Sequence, residues 1–159
     1  IRLGKKNEPL IHEQEPDFRI GKGIVIREGK DVCLLSTGNL MPITLESSRI
    51  LDEAGISAKV VSFHTVKPID EELLADAFNN CDVVVTIEEH GLLGGLGSSI
   101  AEWLVNRPAE RADLLQIGID DIFFYEAGKQ DDARKVVNIT PESIAQRTRQ
   151  LYGKRKKKI

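Results

Sequence analysis

The sequence predicts an α/β fold: a three-layer α/β/α sandwich whose five-stranded sheet is mostly parallel, with one antiparallel edge strand. Three observations predict it. From Lys22 onward, short runs of Val, Ile and Leu alternate with amphipathic stretches of helical period. Strands joined through helices must run parallel, with the helices laid over the sheet faces. The run Val83-Val84-Val85-Thr86-Ile87 is apolar at successive positions, so it needs cover on both sides.

The elements follow in order. Residues 1–21 are polar and carry Pro9 and Pro16, which suits a linker or arm. Gly23-Ile24-Val25-Ile26-Arg27 is a strand, Glu28-Gly29-Lys30 a turn, and Val32-Cys33-Leu34-Leu35-Ser36 a second strand. Their closeness predicts a hairpin, and with it the antiparallel edge. Thr37-Gly38-Asn39 leads into a helix with Pro42 in its first turn. Ile43, Leu45, Ile50, Leu51 and Ala54 give that helix an apolar side, and Gly55 ends it as a left-handed cap. Ala58 to Phe63 is the third strand. Asp70 then caps a helix whose first turn carries Glu71 and Glu72. Leu73, Leu74, Ala77 and Phe78 line its buried side. After the fourth strand and a glycine-rich loop, a helix runs from about Ser98 to Val105, with Ile100 and Leu104 inward and Trp103 at the edge. Leu114-Leu115-Gln116-Ile117 is the fifth strand. Thr140 and Pro141 open the last helix as N-cap and first helical residue, with Ile144, Thr148 and Leu151 as the inner stripe.

Composition excludes several classes of function. Hydrophobic residues make up 41% of the 159, a globular share. No apolar run reaches the roughly 18 residues a membrane span needs. The opening Ile1-Arg2-Leu3-Gly4-Lys5 is followed by no apolar segment, so it is not a secretory signal. It also lacks a starting Met, and reads as the end of a cut or processed chain. Cys33 and Cys81 form no disulfide framework and no metal spacing; buried, inert thiols and a reducing, cytoplasmic compartment are the expectation. The net charge of −3 becomes −8 once the five cations Lys154 to Lys158 are set aside. An acidic body argues against nucleic acid as a partner. The basic tail, residues 154–159, reads as a solvated, frayed end.

The segment most able to carry chemistry is Val83 to Glu102. A buried strand ends in Glu88, Glu89 and His90, and the glycine-rich stretch Gly91 to Gly97 precedes a helix. Ligands of open α/β sheets collect at such strand ends, beside helix N-termini. The loop nevertheless fails the specific patterns. Gly95-Leu96-Gly97-Ser98-Ser99-Ile100 has Ile where a dinucleotide fingerprint needs its third Gly, and no phosphate-binding G-x-x-x-x-G-K-[ST] is present. Two adjacent carboxylates would also repel an anion. The loop residues Gly94, Gly95, Leu96 and Gly97 are therefore expected to serve close packing or an interface. Alternation along the strand sends Glu88 and Glu89 to opposite faces, so they cannot share one site, and one is expected to pair internally or across an interface. His12, His64 and His90 are too scattered for a metal motif. Ser36-Thr37-Gly38 is not a nucleophile elbow; a hydroxyl capping the next helix is the expectation. No catalytic residue, coenzyme site or metal site is assigned.

The ordered set Leu35-Ser36-Thr37-Gly38, Ala54-Gly55-Ile56, Val60-Val61-Ser62, Lys67-Pro68-Ile69-Asp70, Val84 through His90 and Gly94-Gly95-Leu96-Gly97-Ser98 resembles the C-terminal domain of transketolase-like enzymes. That group takes in transketolases, 1-deoxyxylulose-5-phosphate synthases and 2-oxoacid dehydrogenase beta subunits. The similarity runs from about Gly23 to Tyr152. Gly118-Ile119-Asp120-Asp121-Ile122-Phe123 and Ala127-Gly128 resemble the family's closing G-x-x-D-x-F…[SA]-G. Where the family continues to G-L-T, this chain has Asn138-Ile139-Thr140, and Asn suits a left-handed position next best after Gly.

The resemblance implies that residues 1–21 hold a linker and the tail end of a preceding pyrimidine-binding domain, and that residues 22–153 form the C-terminal domain. Lys5 is the nearest match to a basic residue that helps hold substrate phosphate in sugar-phosphate-using members. The complete enzymes bind thiamine diphosphate and Mg between two other domains at a dimer interface, and those domains are the expected partners, within a homodimer. The implied function is that of the C-terminal assembly domain of a transketolase, inactive alone, with two-carbon ketol transfer between sugar phosphates in the complete enzyme. The alternatives are the equivalent domain of a 1-deoxyxylulose-5-phosphate synthase, a small-ligand regulatory α/β domain, and a free-standing interaction module.

Overall fold

The computed structural model describes residues 8–12, 14–107, 112–123, 125 and 128–157. The sheet has five strands: β1 (Ile24–Arg27), β2 (Val32–Ser36), β3 (Ala58–Ser62), β4 (Val83–Gly91) and β5 (Asp113–Ile119). Their order is β1-β3-β2-β4-β5, parallel except that β1 runs antiparallel to β3. The helices are α1 (Met41–Glu53), α2 (Glu71–Asn80), α3 (Leu96–Val105), α4 (Gln130–Val136) and α5 (Pro141–Lys156), with a short 3-10 turn, Gly38–Leu40, before α1. The predicted sandwich, its strand number and its antiparallel edge are all present.

The expected hairpin between β1 and β2 is not. All five residues of β2 are buried, so β2 occupies the sheet centre, with β3 on one side and β4 on the other. β1 is only partly buried and takes the far side of β3. The link between them must therefore cross the start of β3. Gly29 makes that crossing: a Cβ there would overlap the backbone of Ala58 and Lys59, so only glycine fits.

Two cores flank the sheet. On one face Leu34, Val60, Val85 and Ile117 pack under α1 and α5 through Leu51 and Ile144. On the other, Cys33, Leu35, Val61 and Val84 pack under α2 and α3 through Leu74, Phe78 and Ile100. Each large apolar side chain so enclosed contributes about 2 kcal/mol. Trp103, expected at the edge of α3, lies in this second core with its ring 5.8 Å from Phe78, whereas Leu104 is only partly buried. Leu73 of α2 and Leu151 of α5 are likewise at the margins of their cores.

The local signals behave as their chemistry requires. Asp70 caps α2 by accepting from Leu73 N at 3.2 Å, and it also receives Gly23 N at 2.9 Å. Thr140 and Ser143 close a reciprocal capping box at the start of α5. Gly55 (φ 76°) and Asn138 (φ 56°) both hold left-handed backbone. Ser36 and Thr37 do not cap the helix that follows them; the Ser36 hydroxyl is buried without a hydrogen bond.

The basic tail is also ordered beyond expectation. α5 continues to Lys156, and Arg155 reaches Asp113 at 3.2 Å while Lys156 reaches Asp82 at 2.7 Å. These carboxylates stand at the starting ends of β4 and β5, where cations at a helix C-terminus are doubly favoured. Lys158 and Ile159 lie outside the described residues. Among the described residues no helix is long and apolar enough to cross a membrane.

Candidate functional site

The site is the corner where β4 gives way to α3. β4 does not stop at Ile87 but runs on through Glu88, Glu89 and His90 to Gly91, and Leu92 N extends the contact to Ile119 O of β5 at 2.9 Å. Strand alternation separates the two glutamates, as expected from the sequence.

Glu88 turns to the α3 face and is 2% exposed. Its Oε2 accepts from Leu96 N and its Oε1 from Gly97 N, both at 2.8 Å. These are amides of the first turn of α3, which has no intrahelical partners for them. The positive end of the helix therefore closes on a carboxylate of the same chain. Gly95 permits the approach, because a Cβ on it would overlap the Glu88 carboxylate. Gly97 sits equally close to β4: a Cβ on it would stand 2.9 Å from Thr86 Oγ1. Gly94 takes φ 81° and donates to Ser98 Oγ at 2.9 Å, and Ser98 Oγ donates to Leu92 O at 2.7 Å. The turn is thus bonded to itself, residue by residue.

Glu89 turns to the opposite face. It accepts from Arg134 Nε at 3.0 Å, Arg134 Nη2 at 3.2 Å and Gln130 Nε2 at 2.8 Å. This forked pair fastens α4, a helix with no buried residue, to the end of β4. Neither Arg134 nor Gln130 was singled out from the sequence. The stretch around them carries no apolar period, and the only local signal is the Asp131–Arg134 spacing that also pairs, at 3.3 Å.

His90 is exposed, and its Nδ1 lies 2.9 Å from Gly91 O. A carbonyl only accepts, so Nδ1 carries the proton there. The three residues of the Glu-Glu-His string therefore serve three separate places. At the corner Leu93 is 78% exposed, and after β5 Ile122, Phe123 and Tyr125 are exposed too, the last two with rings 6.2 Å apart. Lys5 and Ala127 lie outside the described residues.

This arrangement does not fit a diphosphate. At this corner the α3 terminus is already occupied by Glu88, and a second carboxylate stands beside it. What the corner can do chemically is hold a rigid turn that presents Leu93 and His90 outward.

Comparison with known proteins agrees with the architecture. The model of the family described as "Transketolase, C-terminal domain" matches residues 21–144. A chain of Methanocaldococcus jannaschii described as a transketolase C-terminal section is 39% identical over 149 residues, which is 92% of this chain and 46% of that one. The 1-deoxy-D-xylulose-5-phosphate synthase of Trichodesmium erythraeum is 34% identical over 147 residues, 92% of this chain and 23% of the synthase. This chain thus spans less than half the length of these relatives. Among solved structures, a split-gene transketolase described as an inactive beta4 tetramer superposes with a TM-score of 0.82 at 30% identity, over 91% of this chain and 46% of that one. The transketolase of Pichia stipitis in complex with sedoheptulose 7-phosphate gives a TM-score of 0.64 at 20% identity, over 86% of this chain and 18% of that one, a likeness of fold alone. With residues 21–144 matched by the family model and 92% of its length aligned to a relative at 39% identity, this chain belongs to the transketolase C-terminal domain family.

Proposed function

We propose that this chain is the C-terminal assembly unit of a thiamine-diphosphate-dependent transketolase, which in the complete enzyme transfers two-carbon ketol groups between sugar phosphates. The observation that carries the reading is the Glu88 carboxylate seated on the amides of Leu96 and Gly97. It fills the place where an α/β sheet of this kind would receive an anionic ligand. The glycine corner is then a docking element, and coenzyme, Mg and substrate belong to the pyrophosphate- and pyrimidine-binding domains. Those domains are this unit's partners in a cytoplasmic homodimer. Phe123 and Tyr125, exposed with their rings 6.2 Å apart, support the reading, because exposed apolar groups held together mark an interaction surface.

The test is reconstitution. The chain alone is expected to show no saturable heat with thiamine diphosphate, Mg or xylulose 5-phosphate in calorimetry. Joined to pyrophosphate- and pyrimidine-binding domains of a transketolase, it is expected to support ketol transfer from xylulose 5-phosphate to an aldose phosphate. Saturable coenzyme or sugar-phosphate binding by the isolated chain defeats the proposal and favours the regulatory reading. The 34% identity to a deoxyxylulose-phosphate synthase supports a second reading within the same family. Formation of 1-deoxyxylulose 5-phosphate by the joined enzyme, without ketol transfer between sugar phosphates, selects it.

A further inference from the structure

A cavity of about 320 Å³ opens where β5 ends, beside the start of α5. Pockets that hold small ligands begin at about 300 Å³, so this one suits a molecule of few atoms. Its walls come from separate parts of the chain. Leu92 arrives just after β4, Asp120 just after β5, Val137 and Asn138 from the turn between α4 and α5, and Gln146 and Arg147 from α5 itself. Gly118 brings the first two together: a Cβ on it would stand 3.0 Å from Leu92 Cδ2. Asn138 holds its turn in left-handed backbone, φ 56°.

The polarity of the cavity comes from side chains and not from the helix end. The first turn of α5 is closed on itself, since Ser143 N donates to Thr140 Oγ1 and Thr140 N to Ser143 Oγ. Two charged groups line the space, Arg147 and Asp120, and their charges cancel. Neither pairs with an opposite charge among the described residues. Arg147 is half-buried, and its Nη2 donates to Gln116 O of β5 at 3.2 Å, which fixes the guanidinium against the sheet. A guanidinium has five N–H donors, so a planar fork is left over, the shape that a carboxylate accepts from. Asp120 is exposed and accepts only. Leu92 and Val137 add apolar wall.

We infer that this cavity binds a free aliphatic α-amino acid. The ligand carboxylate takes the Arg147 fork, and its ammonium donates to Asp120. The amides of Asn138 and Gln146 supply further hydrogen bonds, and the aliphatic side chain lies against Leu92 and Val137. A lining of zero net charge with one group of each sign matches a dipolar, neutral ligand. A phosphate ester of charge −2 would meet a single cation and the Asp120 carboxylate, so the same lining discriminates against sugar phosphates. The inference is independent of the transketolase reading: it adds a site for a different class of molecule.

Calorimetry on the full chain tests it, with L-leucine, L-valine and L-isoleucine as probes and amide NMR spectra to locate them. Saturable one-to-one binding is expected for at least one of the three, with spectral shifts concentrated at Leu92, Gly118, Asn138, Gln146 and the Arg147 side chain. Two analogues of the bound probe, one lacking its ammonium and one with the carboxylate made an amide, are expected to bind at least tenfold more weakly. Arg147→Lys keeps the charge but loses the fork, and Asp120→Asn removes the acceptor charge; each is expected to cost at least tenfold in affinity. Urea midpoints close to the parent's establish that both variants are folded, and the analogues decide the matter if either is not. The proposal is overturned by the absence of saturable heat with all three amino acids, by shifts centred elsewhere, by analogues that bind as well as the parent probe, or by folded variants of unchanged affinity.

Discussion

At the scale of single residues, Glu88 decides the most. Its two oxygens satisfy two helix amides that would otherwise be buried without partners. Glu88→Gln keeps the shape but replaces one acceptor by an amide nitrogen facing a donor. It is expected to destabilise the fold by about 1–3 kcal/mol, read as a lower midpoint in urea unfolding with an unchanged slope. A variant as stable as the parent would show that the bonds to Leu96 and Gly97 carry little. Much of this was open to sequence reasoning: period-two alternation is enough to send Glu88 and Glu89 to opposite faces. The sequence also argued against a bound anion, on the ground that carboxylates repel one. In the structure one carboxylate, Glu88, itself sits on the helix amides. Nothing in local sequence says which amides a buried side chain will reach, so that part had to come from the fold.

Among the elements, α4 is the outlier. It buries no residue and is held to the end of β4 by the Glu89–Arg134 fork and the Gln130 bond. Arg134→Ala is expected to free it while leaving the cores intact. Amide exchange across residues 130–136 should then rise at least tenfold, with the thermal midpoint moving by only a few degrees. Equal exchange in parent and variant would mean that other contacts hold the helix. α4 was invisible in the sequence because a seven-residue stretch whose only apolar residues are Ala133 and Val136 gives no helical period to detect. The five strands, by contrast, announced themselves through β-branched, apolar runs, and α1, α2 and α5 through their caps and prolines. What the runs could not give was the partner of each strand. Pairing depends on contacts far apart in sequence, so β1 was assigned to its nearest neighbour, β2, when β3 was the strand it joins.

For the molecule as a whole, the acidic body and basic end prove complementary. Arg155 and Lys156 return to Asp113 and Asp82 at the starting ends of β5 and β4. The pH response should be governed partly by His64. Burial, the largest cause, and nearby His12 hold its pKa below the ordinary value, against a backbone hydrogen bond at Lys22. For a base lowered in the fold, the unfolded chain binds more protons between the folded pKa and about 6.5. Stability should therefore climb as pH rises through that window and level off above it. His64→Gln should flatten the climb in urea unfolding between about pH 5 and 7; an unchanged profile would assign the slope to other groups.

The crossing at Gly29 has a bearing on how the chain is made. Synthesis delivers β1 before β2 and β3, yet its ladder is written in β3, some thirty residues later. β1 must therefore wait, unpaired, until Ser62 has emerged, and then settle on the outside of a sheet that began without it. Any nascent chain released before that point holds a loose strand with no edge to join, and quality control has something to recognise.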